Sequence, residues 1–107
     1  MNSKTQNSLA VKMTIHRIQR RPVGGTWING TVPGYRFCAL VFSEHAQNPA
    51  WEIGRSRISK LSIQRANDTE MLYSWDRGSD IPARDSEVEA ILEYLKNALS
   101  RVLDELT

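Results

Sequence analysis

From Val88 onward, apolar side chains fall at Val88, Ile91, Leu92, Leu95, Leu99, Val102, Leu103 and Leu106. That is the i, i+3, i+4, i+7 spacing of one helical stripe. Ser86 followed by Glu89 spells a capping box, and Asp85, Glu87 and Glu89 put negative charge at the positive end of the helix dipole. A helix is therefore predicted over about 86–106, roughly 30 Å long. The stripe has to be buried. A coiled-coil partner would want three full heptads or more, so burial against the rest of the same chain is the better reading.

Upstream the period changes to two. Leu9, Val11, Met13 and Ile15 alternate with Ala10, Lys12, Thr14 and His16, which predicts a half-buried strand over about 9–18. Arg20-Arg21-Pro22 and Gly24-Gly25 break it. Thr26–Val32 is β-branched and aromatic and predicts a strand over 26–32, with Asn29-Gly30 inside it as a type I′ turn or a bulge. Pro33-Gly34 suits the central pair of a type II turn. Further strands are predicted over about 35–43, 57–65 and 70–76, while Ser43–Ala50, Ala66–Thr69 and Arg77–Pro82 read as loops or turns. Strands followed by a helix give an α+β domain: an antiparallel meander of four to five strands with one C-terminal amphipathic helix packed on one face.

Within it, Tyr35–Phe42 is apolar on both sides. Tyr35, Phe37, Ala39 and Val41 share one face; Arg36, Cys38, Leu40 and Phe42 share the other. Such a strand belongs at the centre of a sheet covered on both faces. One helix covers one face. Loops of the same chain or a second copy must cover the other. A homodimer is the simpler of the two, with Tyr35, Phe37, Leu40 and Phe42 as its interface.

At 107 residues the chain fits one domain, large enough to hold a core without metals or disulfides. Residues 1–8 read as a disordered tail and 9–107 as the domain. Hydrophobic residues at 40% and charged residues at 24% exclude a disordered chain. No apolar run reaches the roughly 18 residues that span a bilayer, and Met1–Ser8 lacks the apolar core of a signal peptide. The single Cys38 can form neither an internal disulfide nor a multi-cysteine zinc site. A cytoplasmic protein with no cofactor, no metal and no membrane association is expected.

The formal charge of +2 hides an asymmetry. Up to Ala66 there are ten basic side chains against Glu44 and Glu52, or +8; from Asn67 onward ten acidic side chains face four basic ones, or −6. Either the basic half meets an anionic partner, or the acidic half folds onto it and cancels it.

Chemistry-bearing motifs are few. His16 falls on the polar register of the first strand and reads as a surface residue. His45 stands beside Ser43 and Glu44, but neighbours in sequence cannot form a triad, whose members converge from separate elements. No HExxH, paired CxxC or P-loop spacing is present. Gly24-Gly25 reads as a turn, and Cys38 as a small core residue. Asp76 and Asp80 are a carboxylate pair of unfixed separation. More informative are the cations and aromatics: Arg36, Arg55, Arg57, Lys60, Trp75 and Arg77, with Trp27 and Tyr73 nearby. Arginine forks recognise phosphate and carboxylate, and aromatic faces stack on bases. The same residues serve structure if the aromatics are core and the arginines pair with Glu52, Asp76 and Asp80.

Three runs occur together: Trp27…Gly30…Gly34-Tyr35-Arg36-Phe37, Gly54–Leu61 (GRSRISKL) and Tyr73–Asp80 (YSWDRGSD). With the closing helix they resemble a family of small uncharacterised proteins of bacteriophages and mobile elements, over roughly residues 26–106. Ser56 departs from the paired glycines that usually precede the Arg-Ile-Ser-Lys-Leu core there. The resemblance implies an accessory gene product that acts by stoichiometric binding, including inhibition of host defence systems.

The leading expectation is thus a non-enzymatic binding protein that engages a nucleic acid, a nucleotide or an acidic protein surface through a basic sheet face. A homo-oligomerising interaction module with no nucleic-acid role is the alternative. A small hydrolase using His45 or Asp76 and Asp80 ranks third.

Overall fold

The computed structural model describes residues 13–106. Six strands, β1 (Thr14–Arg20), β2 (Thr26–Val32), β3 (Tyr35–Val41), β4 (Ile58–Arg65), β5 (Met71–Asp76) and β6 (Ser79–Ile81), form one antiparallel sheet in chain order. A 3-10 turn, Pro49–Trp51, lies between β3 and β4, and the helix α1 (Ser86–Glu105) follows β6.

The α+β meander with one helix stands, but the sheet has six strands instead of four to five. The added one, β6, falls in the stretch expected to be a loop. Arg77 (φ 55°) and Gly78 (φ 147°) reverse the chain so tightly that the Asp76 amide donates to the Gly78 carbonyl at 3.0 Å. Three residues then pair back onto β5. So short an edge strand leaves no period-two signal.

Three local expectations are also corrected. Asn29-Gly30 is neither turn nor bulge: β2 pairs with β3 without interruption from Thr26 to Val32. The bulge lies on the neighbouring strand, at His16, where the β1–β2 register jumps from Ile15↔Gly30 to Arg17↔Asn29. It changes the parity of β1, so that Ile15 and Ile18, three residues apart, both fall on the helix side. The strand runs on to Arg20, past the expected end at 18, because no breaker occurs before Pro22. Residues 9–12 of the predicted strand, and the predicted tail 1–8, lie outside the described residues. Finally, Asp85 is the N-cap of α1 and Ser86 its first residue; an Asp85 carboxylate oxygen accepts from the Val88 amide at 2.8 Å. A carboxylate makes the stronger, charge-assisted bond at this end of a helix.

The core lies between α1 and one face of the sheet. Val88, Ile91, Leu95, Leu99 and Leu103 of the helix bury against Ile28, Val32, Phe37, Ala39, Val41, Ile58, Leu61, Ile63 and Tyr73. Arg20 donates to the Leu106 carbonyl at 2.9 Å, placing a cation at the negative end of α1.

The Tyr35 hydroxyl donates to Glu87 beside the first turn of α1. That hydrogen bond, followed by burial, pushes its pKa from 10.0 up to about 12, and burial followed by the Glu93 charge does the same for Tyr73. Both phenols hold their protons more tightly in the folded chain than in the unfolded one. They therefore contribute stability that is complete below pH 10.0 and is lost as pH rises through about 12. Urea midpoints should fall across that window, and Tyr35→Phe should flatten its share of the fall. Midpoints that do not change with pH there would refute the assignment.

Candidate functional site

Cross-strand partners share a face, so the register lays out the side of the sheet away from α1 in rows. Trp27, Leu40, Lys60 and Asp76 form one row; Asn29, Cys38, Ser62 and Ser74 the next; Thr31, Arg36 and Gln64 the third. At the end of the sheet near the first row, two loops rise over this face and enclose a cavity of about 540 Å³.

One wall is the β1–β2 loop. Gly24 and Gly25 take positive φ and lie against Phe42 and Leu40; a Cβ on Gly25 would come within 2.9 Å of Leu40 Cδ1. The opposite wall is the segment between β3 and β4. Its anchor is Glu52, only 4% exposed, whose carboxylate accepts from His45 Nδ1 at 2.9 Å. The bond fixes the ring with Nδ1 toward Glu52 and Nε2 away from it. Asn48 caps the short turn by accepting from the Ala50 amide at 3.0 Å. Trp51 stands at the rim, 44% exposed.

Arg57 closes the base. Its guanidinium donates to the Ser43 carbonyl at 2.9 Å, to the Ser100 carbonyl at 3.3 Å and to Asp104 at 3.0 Å. These bonds use the fork to tie the loop to α1, so Arg57 is a strut and not a free ligand-binding group, although it lines the cavity. Lys60 reaches Asp76 at 3.6 Å, a long and largely exposed contact that leaves its ammonium accessible. Arg21 and Arg77 line the same space and make no ion pair among the described residues. The cavity therefore joins three available cations to two aromatic rings, Phe42 and Trp51.

Of the six predicted ligand-binding residues, Arg57, Lys60 and Arg77 meet here. Arg36 is on the same sheet face, two rows away. Arg55 is exposed in the turn before β4 and does not line the cavity. Trp75 pairs with Leu61 on the helix side and packs partly against the core. Of the predicted interface residues, Phe37 is core, Tyr35 donates to Glu87, and Leu40, 2% exposed, lies under the chain's own glycine loop with Phe42. The apolar second face of β3 is thus covered from within at this end.

Arg21, Phe42 and Trp51 were missed as a group because their convergence depends on two loops folding toward each other. Glu52 and His45 carry no spacing signal either. Cys38 lies half-buried in the middle row, and burial pushes its thiol pKa up, away from thiolate reactivity. Asp80 accepts from Ser74 at 3.0 Å and is engaged separately from Asp76. Among the described residues no three His, Cys, Asp or Glu side chains are placed to hold a metal ion, and no helix is long and apolar enough to cross a membrane.

No curated protein and no solved structure matches the chain. Residues 26–100 match a family model described as Domain of unknown function (DUF7678), and the chain belongs to that family.

Proposed function

We propose that this DUF7678 protein acts by stoichiometric binding, without catalysis, and that its cavity takes a phosphate-bearing ligand with an aromatic ring, a nucleotide in chemical class. The observation that supports this reading is the convergence of Arg21, Lys60 and Arg77 on one concavity walled by Phe42 and Trp51. Guanidinium forks bind phosphate in two-point fashion, and an exposed indole offers a base a face to stack on. A cavity of 540 Å³ suits a small molecule better than a protein surface. In the phage or mobile-element setting that the family resemblance implies, a cytoplasmic inhibitor that sequesters a signalling nucleotide or occupies a nucleic-acid-targeting defence complex fits this chemistry.

Calorimetry with nucleoside mono-, di- and triphosphates at low ionic strength, where charge contributes most, tests it. Binding should weaken with salt. Arg77→Ala and Arg21→Ala should each lower affinity about tenfold or more, since a hydrogen bond to a charged group contributes roughly 1.5–3 kcal/mol. Arg101→Ala, on the far helix, should change nothing. Absence of heat with every nucleotide at low salt rejects the reading.

A further inference from the structure

The cavity opens onto a sheet face with its own chemistry. The β1–β3 half of that face carries no acidic side chain: the three strands read TIHRIQR, TWINGTV and YRFCALV. Trp27, half-buried, stands in the row that floors the cavity. The next row holds Asn29, with Arg17 opposite it on β1 and Cys38 opposite it on β3. The third holds Arg36, exposed, across from Thr31, whose hydroxyl bonds His16 Nε2 at 3.2 Å. Rows lie about 7 Å apart along a strand, so Arg36 is about 13 Å beyond the cavity floor. Asn29 Oδ1 is buried without a hydrogen-bond partner among the described residues.

We propose that this face is a track for single-stranded nucleic acid, which enters the cavity with one nucleotide and lays the following ones across Trp27 and Asn29 to Arg36. The inference rests on the cavity being a nucleotide site and extends it. Arg17 and Arg36 meet successive phosphates, and Trp27 stacks on a base. The order is that of other sheet-borne readers of single strands: an aromatic platform flanked by cations. A duplex keeps its bases stacked inside and offers no ring face for Trp27 to stack on. The acids of β5 and β6, Asp76 and Asp80, lie toward the opposite edge of the sheet, with Asp76 in the same row as Trp27 and Lys60, and keep the strand to the β1–β3 half.

Fluorescence anisotropy on the full chain with labelled thymidylate and uridylate oligomers of about one, three and six nucleotides tests it. The longer oligomers should bind at least about tenfold tighter than the mononucleotide, in the deoxy or the ribo series or both, and tighter than a duplex. Arg36→Ala and Arg17→Ala, both at exposed positions, should remove that gain and leave mononucleotide affinity unchanged. Mononucleotide binding with no gain from length overturns the track and leaves the cavity site standing. Loss of all binding removes the cavity site first and the track with it. A gain that survives Arg36→Ala and Arg17→Ala overturns it, as does sedimentation showing a dimer that Arg36→Glu dissociates, since a second copy would then occupy the face.

Discussion

Gly30→Ala is expected to destabilise the fold by about 3 kcal/mol or more, read as a lower urea midpoint. Gly30 sits in β2 where the bulge of β1 brings the backbone unusually close. A Cβ there would lie 2.3 Å from the Thr14 carbonyl oxygen and 2.7 Å from Phe37 Cζ. The first neighbour is main chain and cannot rotate away. The second is a buried ring in the core. Either β1 leaves the sheet at its bulge or Phe37 abandons its place beneath α1. Alanine also reduces the freedom of the unfolded chain, which favours folding by roughly 0.4–1 kcal/mol, too little to offset the overlap. Gly34→Ala is the control. Gly34 has φ 85° in the β2–β3 turn but nothing within 4 Å of an added Cβ, so it should cost only the backbone strain, roughly 1–2 kcal/mol. Equal midpoints for the two variants would mean that crowding at Gly30 is relieved without loss.

Leu95→Ala is expected to cost about 3–5 kcal/mol. Leu95 is fully buried at the middle of α1, in the cluster with Ile28, Ala39, Leu61 and Ile63. Truncation removes its transfer energy and leaves a cavity that six strands held in fixed register cannot close. Against the roughly 5–15 kcal/mol of total stability usual for a small domain, this loss is a large fraction. Leu92→Ala, at a half-buried position of the same helix, should cost less than half as much. If the two midpoints coincide, the stripe is not anchored as described.

These two residues differ in how openly the sequence announces them. Leu95 belongs to a stripe whose spacing states both the helix and its inner face. Gly30 carries no such label: beside Asn29 it reads as a turn or a bulge, and only the jump in register across β1 shows why a side chain is excluded. The candidate site divides in the same way. Lys60 and Arg77 could be picked out as cations flanking strands. Arg57 resembled them, yet its donors are consumed by Ser43, Ser100 and Asp104, two of them more than forty positions away in the chain. The summed charge of the two halves could not separate these cases, because neutralisation is decided pair by pair.

Periodicity and turn chemistry act between near neighbours, so the linear chain by itself determined the helix, the strands β1–β5, the proline-glycine hairpin and the α+β class. Which cations stay available, which loop covers Leu40, and which strand edge accepts Ser79–Ile81 depend on distances between residues far apart in the chain. Those distances exist only after the sheet has taken its register, and so only the tertiary structure decided where the cavity lies and what lines it.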